Sequence, residues 1–353
     1  MSQSIDKIAK NTKKDLIFQP NGLNYMIEKD QMPLLNTEIR KTRSEDGFAI
    51  LKKKLGPELK EKEPLAPYTT FRIGGPADYF FEAKTPEKLM EAVMSAKELK
   101  INYFLLAGGS NILINDQGFR GLIIRNGCDK IEVSGEKIVA QSGAVLQAVV
   151  DAAYENSLTG FEFATGIKGS LGGAVYGNAG AFGHAIGEIL TGAVLFTPPG
   201  EIKVVDRGYF EFVYRGSKLK QSGEIVLSAS FQLKRGNKEE IKKKMDEIMD
   251  LRNTKHPHEE GSAGSFFKNI KSADGSRVTP AGVLLEQVGA KELKIGDAAV
   301  FYKHANIVVN LGKAQASQVL TIVRTMREKV RERFNIQLEP EVLFLDQYGL
   351  EKV

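Results

Sequence analysis

Three polar residues stand in apolar or glycine-rich sequence, where a side chain can be shielded from water. Arg215 follows Phe212, Val213 and Tyr214. A guanidinium so placed can grip a carboxylate through two parallel hydrogen bonds, or form a surface ion pair. Ser265 lies between Gly264 and the pair Phe266–Phe267. Its hydroxyl can donate or relay a proton, or serve a turn or helix cap. Glu341 opens an apolar run, Val342 to Leu345. Partial burial would raise its pKa and keep it protonated; an exposed strand end would leave it ordinary. The chain has no Gly-x-Ser-x-Gly elbow and no histidine at a partner's spacing. Serine-nucleophile hydrolysis is therefore not expected.

These residues need a scaffold, and the stretch from Ala164 to His184 is the organising part of it. It carries glycine at 166, 169, 172, 173, 177, 180 and 183. Such a run costs backbone entropy, so it reads as a ligand-approach surface more readily than as a loop of several turns. Ser170, Asn178 and bare amides are then available as donors. Upstream, the apolar strand Tyr103 to Ala107 runs into Gly108-Gly109-Ser110-Asn111 and then Ile112 to Ile114. That makes a tight turn whose amides can face an anion, or a plain strand corner. No two glycines are spaced Gly-x-Gly, and no phosphate loop of the Gly-x-x-x-x-Gly-Lys type occurs. A diphosphate here is not held by either standard nucleotide turn. The residue types thus point to a diphosphate with a flat ring, a carboxylate grip and a proton donor.

Composition sets outer limits. Hydrophobic content of 42% and charge content of 26% over 353 residues fit two or three globular domains. A net charge of +5, spread along the chain, suits a small anionic substrate and not a nucleic acid. Cys128 is the only cysteine, so an intrachain disulfide or Cys-x-x-Cys pair is excluded. His256-Pro257-His258 reads as a polar helix exit, and no metal site is expected. No apolar run reaches signal-peptide or membrane-spanning length, so a cytoplasmic location without a membrane span is expected.

The positioning elements follow from pattern. Residues 1–43 are polar with weak periodicity, expected as a poorly ordered extension with one short strand or helix around 16–27. Ser44 to Asp46 start a helix to Leu55, stopped by Gly56-Pro57. Strands are expected at 77–83, 103–107, 122–125, 131–133 and 137–142, with a helix capped by Thr85 that starts at Pro86 and puts Leu89, Val93 and Ala96 on one face, and another helix at 145–154: a repeated βαβ pattern. A hairpin turns at Pro198-Pro199-Gly200. Residues 224–234 alternate, with Ile225, Leu227, Ala229, Phe231 and Leu233 on one face. Asn237 with Glu240 starts a helix to about Arg252. Helices near 280–288 and 315–334, with strands near 300 and 307–309, build a further α+β lobe.

Together, YTTFRIGGPAD (68–78), LAGGSNILI (106–114), ATGIKGSLGGAVYGNAGAFG (164–183), YRGS (214–217), GSAGSFFKN (261–269), AGVLLEQVGA followed by KHANIVVN, and LEPEV (338–342) form a specific pattern. The chain resembles, over about residues 46–347, the UDP-N-acetylenolpyruvoylglucosamine reductases, the MurB family of the peptidoglycan precursor pathway. It is similar to the compact form, without the extra tyrosine loop. The resemblance implies an α+β fold. A FAD-binding domain of the vanillyl-alcohol-oxidase/PCMH type, in two lobes, would span 44–237, and a C-terminal α+β substrate domain 238–353. It implies a monomeric UDP-N-acetylmuramate dehydrogenase with non-covalent FAD and NADPH as reductant, serving cell-wall synthesis, cell shape and division. Gly108, Gly109, Ser110, Asn111, Gly166, Gly169, Gly172, Gly173, Asn178 and Gly180 would bind the cofactor. Arg215 and Glu341 would stabilise the enolate-like charge, Ser265 would deliver the proton, and Lys268, Asn269 and His304 would meet the substrate. Lys168, Ile270 and Phe301 depart from the family pattern, as does an extended stretch at 272–280. The rival readings are a flavin oxidase on the same domain, with His184 as the one nearby tether, and a UDP-sugar sensor without turnover.

Overall fold

The computed structural model describes residues 14–17, 25–28, 47–197, 200–271 and 278–351. The chain divides into two units, Met1–Lys54 and Leu55–Val353. In the first, strands Lys14–Ile17 and Tyr25–Glu28 pair antiparallel, with Lys14 opposite Glu28 and Ile17 opposite Tyr25. The single short element expected over 16–27 is therefore a two-stranded hairpin. The rest of the expected poorly ordered extension lies outside the described residues, as does the helix start at 44–46; residues 47–55 are helical.

Three sheets of four or five strands organise the described residues of the second unit. In the first, Phe119–Asn126 has parallel partners on both sides, Ala77–Ala83 and Tyr103–Leu106, with Lys60–Glu61 antiparallel at one edge. A parallel strand covered on both faces reads as a continuous apolar run, and Leu122, Ile123 and Ile124 are all fully buried. The helix Pro86–Glu98 covers this sheet with Leu89, Val93 and Ala96, and the Thr85 hydroxyl accepts the Lys88 N–H at its start.

The second system is antiparallel, in the order Glu201–Asp206, Leu190–Thr197, Ile225–Gln232, Lys137–Gln141, Ile131–Ser134. Ile225–Gln232 lies at its centre and buries Val226 as well as Ile225, Leu227, Ala229 and Phe231. The expected alternation holds from Leu227 to Gln232, with Ser228, Ser230 and Gln232 on the less buried face; Val226 is buried as well, at the register shift opposite Val194 and Leu195. The helix Lys238–Lys255 packs here too, with Ile241 and Met245 beside Val149, Val150, Phe161 and Phe163. The sequence reading assigned that helix to the C-terminal part; its core contacts are with the five-stranded sheet's lobe.

The third system runs Gly261–Ser265, Ile307–Asn310, Ala298–Val300, Lys294–Ile295, all antiparallel. The helix Ala316–Phe334 covers it with Val319, Ile322, Val323, Met326 and Val330, the spacing of one helical face. Its N-terminus is capped from the first system: Asp116 accepts the N–H groups of Ala316 at 2.6 Å and Ser317 at 3.1 Å. The chain then returns, and Leu343–Leu345 pairs parallel with Ile112–Ile114.

The segment from Thr69 to Arg72 joins these parts. Thr70 N–H donates to Gly109 O at 3.0 Å, its hydroxyl donates to Ser262 O at 2.7 Å, and Ser262 N–H returns a bond to Thr70 O. Asn310, 4% exposed, donates to the carbonyls of Phe71 and Arg72 and accepts from Gly312 and Ala314. Asn310→Leu leaves those buried groups unpaired and should cost about 3 kcal/mol in urea unfolding. A loss below about 0.5 kcal/mol, the range of neutral surface changes, would sink this account of the joint.

Candidate active site

The turn after Tyr103–Leu106 presents a row of unclaimed backbone amides. The backbone N–H groups of Gly108, Gly109, Ser110 and Asn111 donate to no protein acceptor among the described residues. Gly108 is needed for close approach: a Cβ there would fall 2.7 Å from Gly169 Cα and Ser170 N. The two glycine-rich segments therefore touch, backbone to backbone. Gly169 lies over Ser110, and Gly172 lies over Ser142.

The organising stretch is not one loop. It contains a helix, Leu171–Gly177, whose first turn is capped by the Ser170 hydroxyl accepting Gly173 N–H, and then a two-residue hairpin, Gly180–Ala181 with His184–Ala185. Gly173 and Gly177 lie on that helix; no atom lies within 4 Å of a Cβ built at Gly177. Asn178 ends the helix in the left-handed region. Its amide is not left free for a ligand, as the sequence suggested: it donates to Val213 O and accepts from Gly187 N–H, both at 3.0 Å. Asn178 thereby holds the turn that presents Arg215.

Val213 and Gly216 exchange backbone bonds across a two-residue turn, and Arg215 sits in it at φ +56°. Positive φ in an arginine is strained, and strain of this kind gathers at functional sites. The neighbouring Val213 and Tyr214 are exposed, so the apolar surroundings read from sequence do not enclose Arg215. Its environment is made at long range. One terminal nitrogen donates to Gly180 O at 2.9 Å, and Nε lies 2.8 Å from Glu341 Oε1. The two groups lie at ion-pair distance without hydrogen-bond alignment at Nε.

Glu341 is placed by two strands. Its N–H donates to Phe266 O at 2.8 Å, and its carbonyl accepts from the Asn111 side chain at 3.0 Å. The closing LEPEV segment is thus laid between the Gly108–Asn111 turn and Ser265-Phe266-Phe267. Burial pushes the Glu341 carboxyl up, against the opposing pull of Arg215, Lys220 and Lys268. Ser265 ends its strand after a register shift, where Gly264 takes φ +74°. Past the bulge Ser265 pairs again, opposite Ile307, and the buried rings of Phe266 and Phe267 anchor it. Ser265 is half-buried, and its hydroxyl has no partner among the described residues.

The three substrate candidates divide. Lys268 pairs with Glu339 at 3.1 Å and lies near Glu341. Asn269 accepts the N–H of Ala281, at the start of the helix Ala281–Gln287. His304 lies beside Gly282 of the same helix, its ring centroid 6.0 Å from that of His256. Phe301, which departs from the family pattern, is buried with Ile307 and Val309. Ile270 pairs with Thr279, and residues 272–277 lie outside the described ones. His184 is exposed and pairs with Glu188 at 2.9 Å.

Sequence reading missed Lys220 and Arg252. Lys220 donates to Arg215 O at 2.7 Å, and burial, then the Lys268 charge, pull its pKa down. Neither stands in a motif with a readable role, since one is in a four-residue helix and the other in a charged amphipathic one.

Burial, with Arg252 and then His304, His258 and Lys168 adding repulsion, holds His256 down to about 4. The unfolded chain therefore binds the extra proton between about pH 4 and 6.5, so this group's stabilising contribution is complete above 6.5 and lost below. His256→Gln should flatten that part of the urea midpoint against pH. An unchanged slope would mean His256 is not the group.

Comparison with known proteins places the chain by class first. Residues 77–206 match the family described as FAD binding domain, so the first two sheet systems belong to a flavoprotein. Residues 256–345 match the UDP-N-acetylenolpyruvoylglucosamine reductase C-terminal domain. The chain is 37% identical over 286 residues to the UDP-N-acetylenolpyruvoylglucosamine reductase of Clostridium novyi, covering 81% of this chain and 91% of that one. It is 40% identical over 285 residues to that of Latilactobacillus sakei, covering 80% and 92%. The crystal structure of the Thermus caldophilus reductase superposes with a TM-score of 0.67 at 32% identity, covering 81% of this chain and 98% of that one. The chain belongs to the UDP-N-acetylenolpyruvoylglucosamine reductase family.

Proposed function

We propose that Arg215, Glu341 and Ser265 do the chemistry in an FAD enzyme that uses NADPH to reduce UDP-N-acetylglucosamine enolpyruvate to UDP-N-acetylmuramate. The observation that carries the assignment is the convergence at Glu341. Its side chain meets Arg215, its backbone N–H meets the strand end bearing Ser265, and its carbonyl meets the Gly108–Asn111 turn.

The residues present fit FAD. The unclaimed amides of Gly108 to Asn111 suit a diphosphate, and the adjoining Gly169, Gly172, Gly173 and Gly180 keep a thin wall for a flat ring. Gly166 and Asn178 support that wall from behind. When bound, FAD supplies the transferable hydride. The chain's own groups do the rest. Arg215 orients the enolpyruvyl carboxylate and draws off the charge that develops there, and the protonated Glu341 donates to the same carboxylate. Ser265 delivers the proton to the neighbouring carbon. Lys268, Asn269 and His304 hold the remainder of the substrate.

The domain division is proposed with the helix Lys238–Lys255 assigned to the FAD part and the substrate part beginning at His256. Among the described residues no helix is long and apolar enough to cross a membrane. A cytoplasmic monomer is the accompanying reading.

The test is spectroscopic. The purified protein should carry a flavin spectrum, bleach with NADPH, and recover without oxygen on adding the enolpyruvyl substrate. Acid should release the flavin. Recovery with oxygen alone, or flavin that stays attached in acid, would favour an oxidase; bleaching with no recovery by substrate would favour a sensor.

A further inference from the structure

Arg252, near the end of the helix Lys238–Lys255, is a cation with no counter-ion among the described residues. Its side chain makes no hydrogen bond or ion pair to any described residue, and its Nε is buried. The neighbouring charge is of the same sign: Arg215 repels it. It is packed in place. A Cβ on Gly166 would fall 2.7 Å from Arg252 Cδ and 2.9 Å from Met249 Sδ, so glycine at 166 admits the arginine stem. The guanidinium lies 5.6 Å from the ring centroid of Phe182. Thr165, 2% exposed and next to Gly166, has a buried hydroxyl that is also unpartnered. Two buried polar groups without partners therefore meet at one corner of the glycine-rich stretch.

A guanidinium whose Nε is buried and unpartnered beside the like charge of Arg215 is costly unless an anion joins it. Arg215 is already engaged by Glu341 and Gly180, whereas Arg252 is not. We propose that Arg252 is a second anion-binding guanidinium of the reductive centre, taking up negative charge brought against the Gly166–Phe182 wall. Two sources share that chemistry: the carboxylate of the enolpyruvyl group, and the charge the flavin ring carries when reduced. The inference rests on the flavin reading proposed above.

The experiment compares wild type, Arg252→Met and Arg252→Lys with FAD bound. One arm measures the flavin midpoint potential without substrate. The other titrates the oxidised protein with UDP-N-acetylmuramate, which carries the carboxylate, and with UDP-N-acetylglucosamine, which does not. If the charge faces the ring, Arg252→Met binds the reduced ring 10- to 100-fold more weakly, a fall of about 30–60 mV for a two-electron couple. If it faces the carboxylate, Arg252→Met loses about 10- to 100-fold in affinity for UDP-N-acetylmuramate alone. Arg252→Lys keeps the charge and should retain most of whichever signal is present; it carries the comparison if the methionine variant does not hold FAD. A wild-type potential together with a wild-type ratio of the two affinities in Arg252→Met would overturn the proposal. So would a lysine variant as impaired as the methionine one, which indicates packing alone. If wild type itself binds no flavin, the flavin reading has failed, and not this inference.

Discussion

Ser265→Ala protein should bleach with NADPH as fast as wild type and then recover about a hundredfold to ten-thousandfold more slowly on adding the enolpyruvyl substrate. The separation of the two half-reactions carries the argument. Hydride delivery from NADPH needs no proton at the substrate carbon, so losing a hydroxyl there leaves bleaching intact. Recovery needs that proton placed on one face. The substitution is structurally mild because everything that positions residue 265 lies beside it. Phe266 N–H donates to Asn306 O at 2.7 Å, and Asn306 exchanges side-chain bonds with Phe267 at 2.9 and 2.8 Å. The hydroxyl itself pairs with no group among the described residues. Stability should therefore stay within about 0.5 kcal/mol of wild type. Recovery within threefold of wild type would remove Ser265 from the proton step. Slowed bleaching would show that the substitution disturbs the flavin pocket.

What the sequence made legible was local or carried by strong pattern. Thr85-Pro86, the Ile225–Gln232 run and the amphipathic face of Ala316–Phe334 each announce themselves within a few residues. Arg215, Ser265 and Glu341 could be picked out by type, but nothing local says that they meet. Their meeting depends on the parallel pairing of Leu343–Leu345 with Ile112–Ile114, and on Asn111 reaching the Glu341 carbonyl across 230 positions. Long-range register leaves no mark in composition or periodicity. Asn178 was misjudged for the same reason: its partners Val213 and Gly187 are remote in sequence or on the far side of a turn. The helix Lys238–Lys255 looks like the opening of a new domain, because capping signals mark where a helix starts and say nothing of which core it joins.

Glu341→Gln should slow substrate-driven recovery by about a hundredfold to a thousandfold and leave bleaching by NADPH unchanged. The magnitude follows from removing the acid aimed at the carboxylate as charge develops there. The pH dependence is the sharper test. Burial raises the Glu341 carboxyl while Arg215, Lys220 and Lys268 pull the other way, and burial wins. The working form is the protonated one, so wild-type recovery should fall as pH rises through that raised pKa. Glutamine cannot ionise, so this limb should vanish in Glu341→Gln. Lys220 is the other group facing this carboxyl whose titration moves toward neutrality, since burial lowers it from 10.5. It too would give a falling alkaline limb as it loses its proton and its grip on the Arg215 carbonyl. Lys220→Met separates the two: if Glu341 governs, the limb persists there and is absent in Glu341→Gln. A limb that survives in Glu341→Gln and disappears in Lys220→Met would assign the titration to the lysine. Glu341 would then act as an ionised partner that steadies Arg215 through its 2.8 Å contact, and not as an acid.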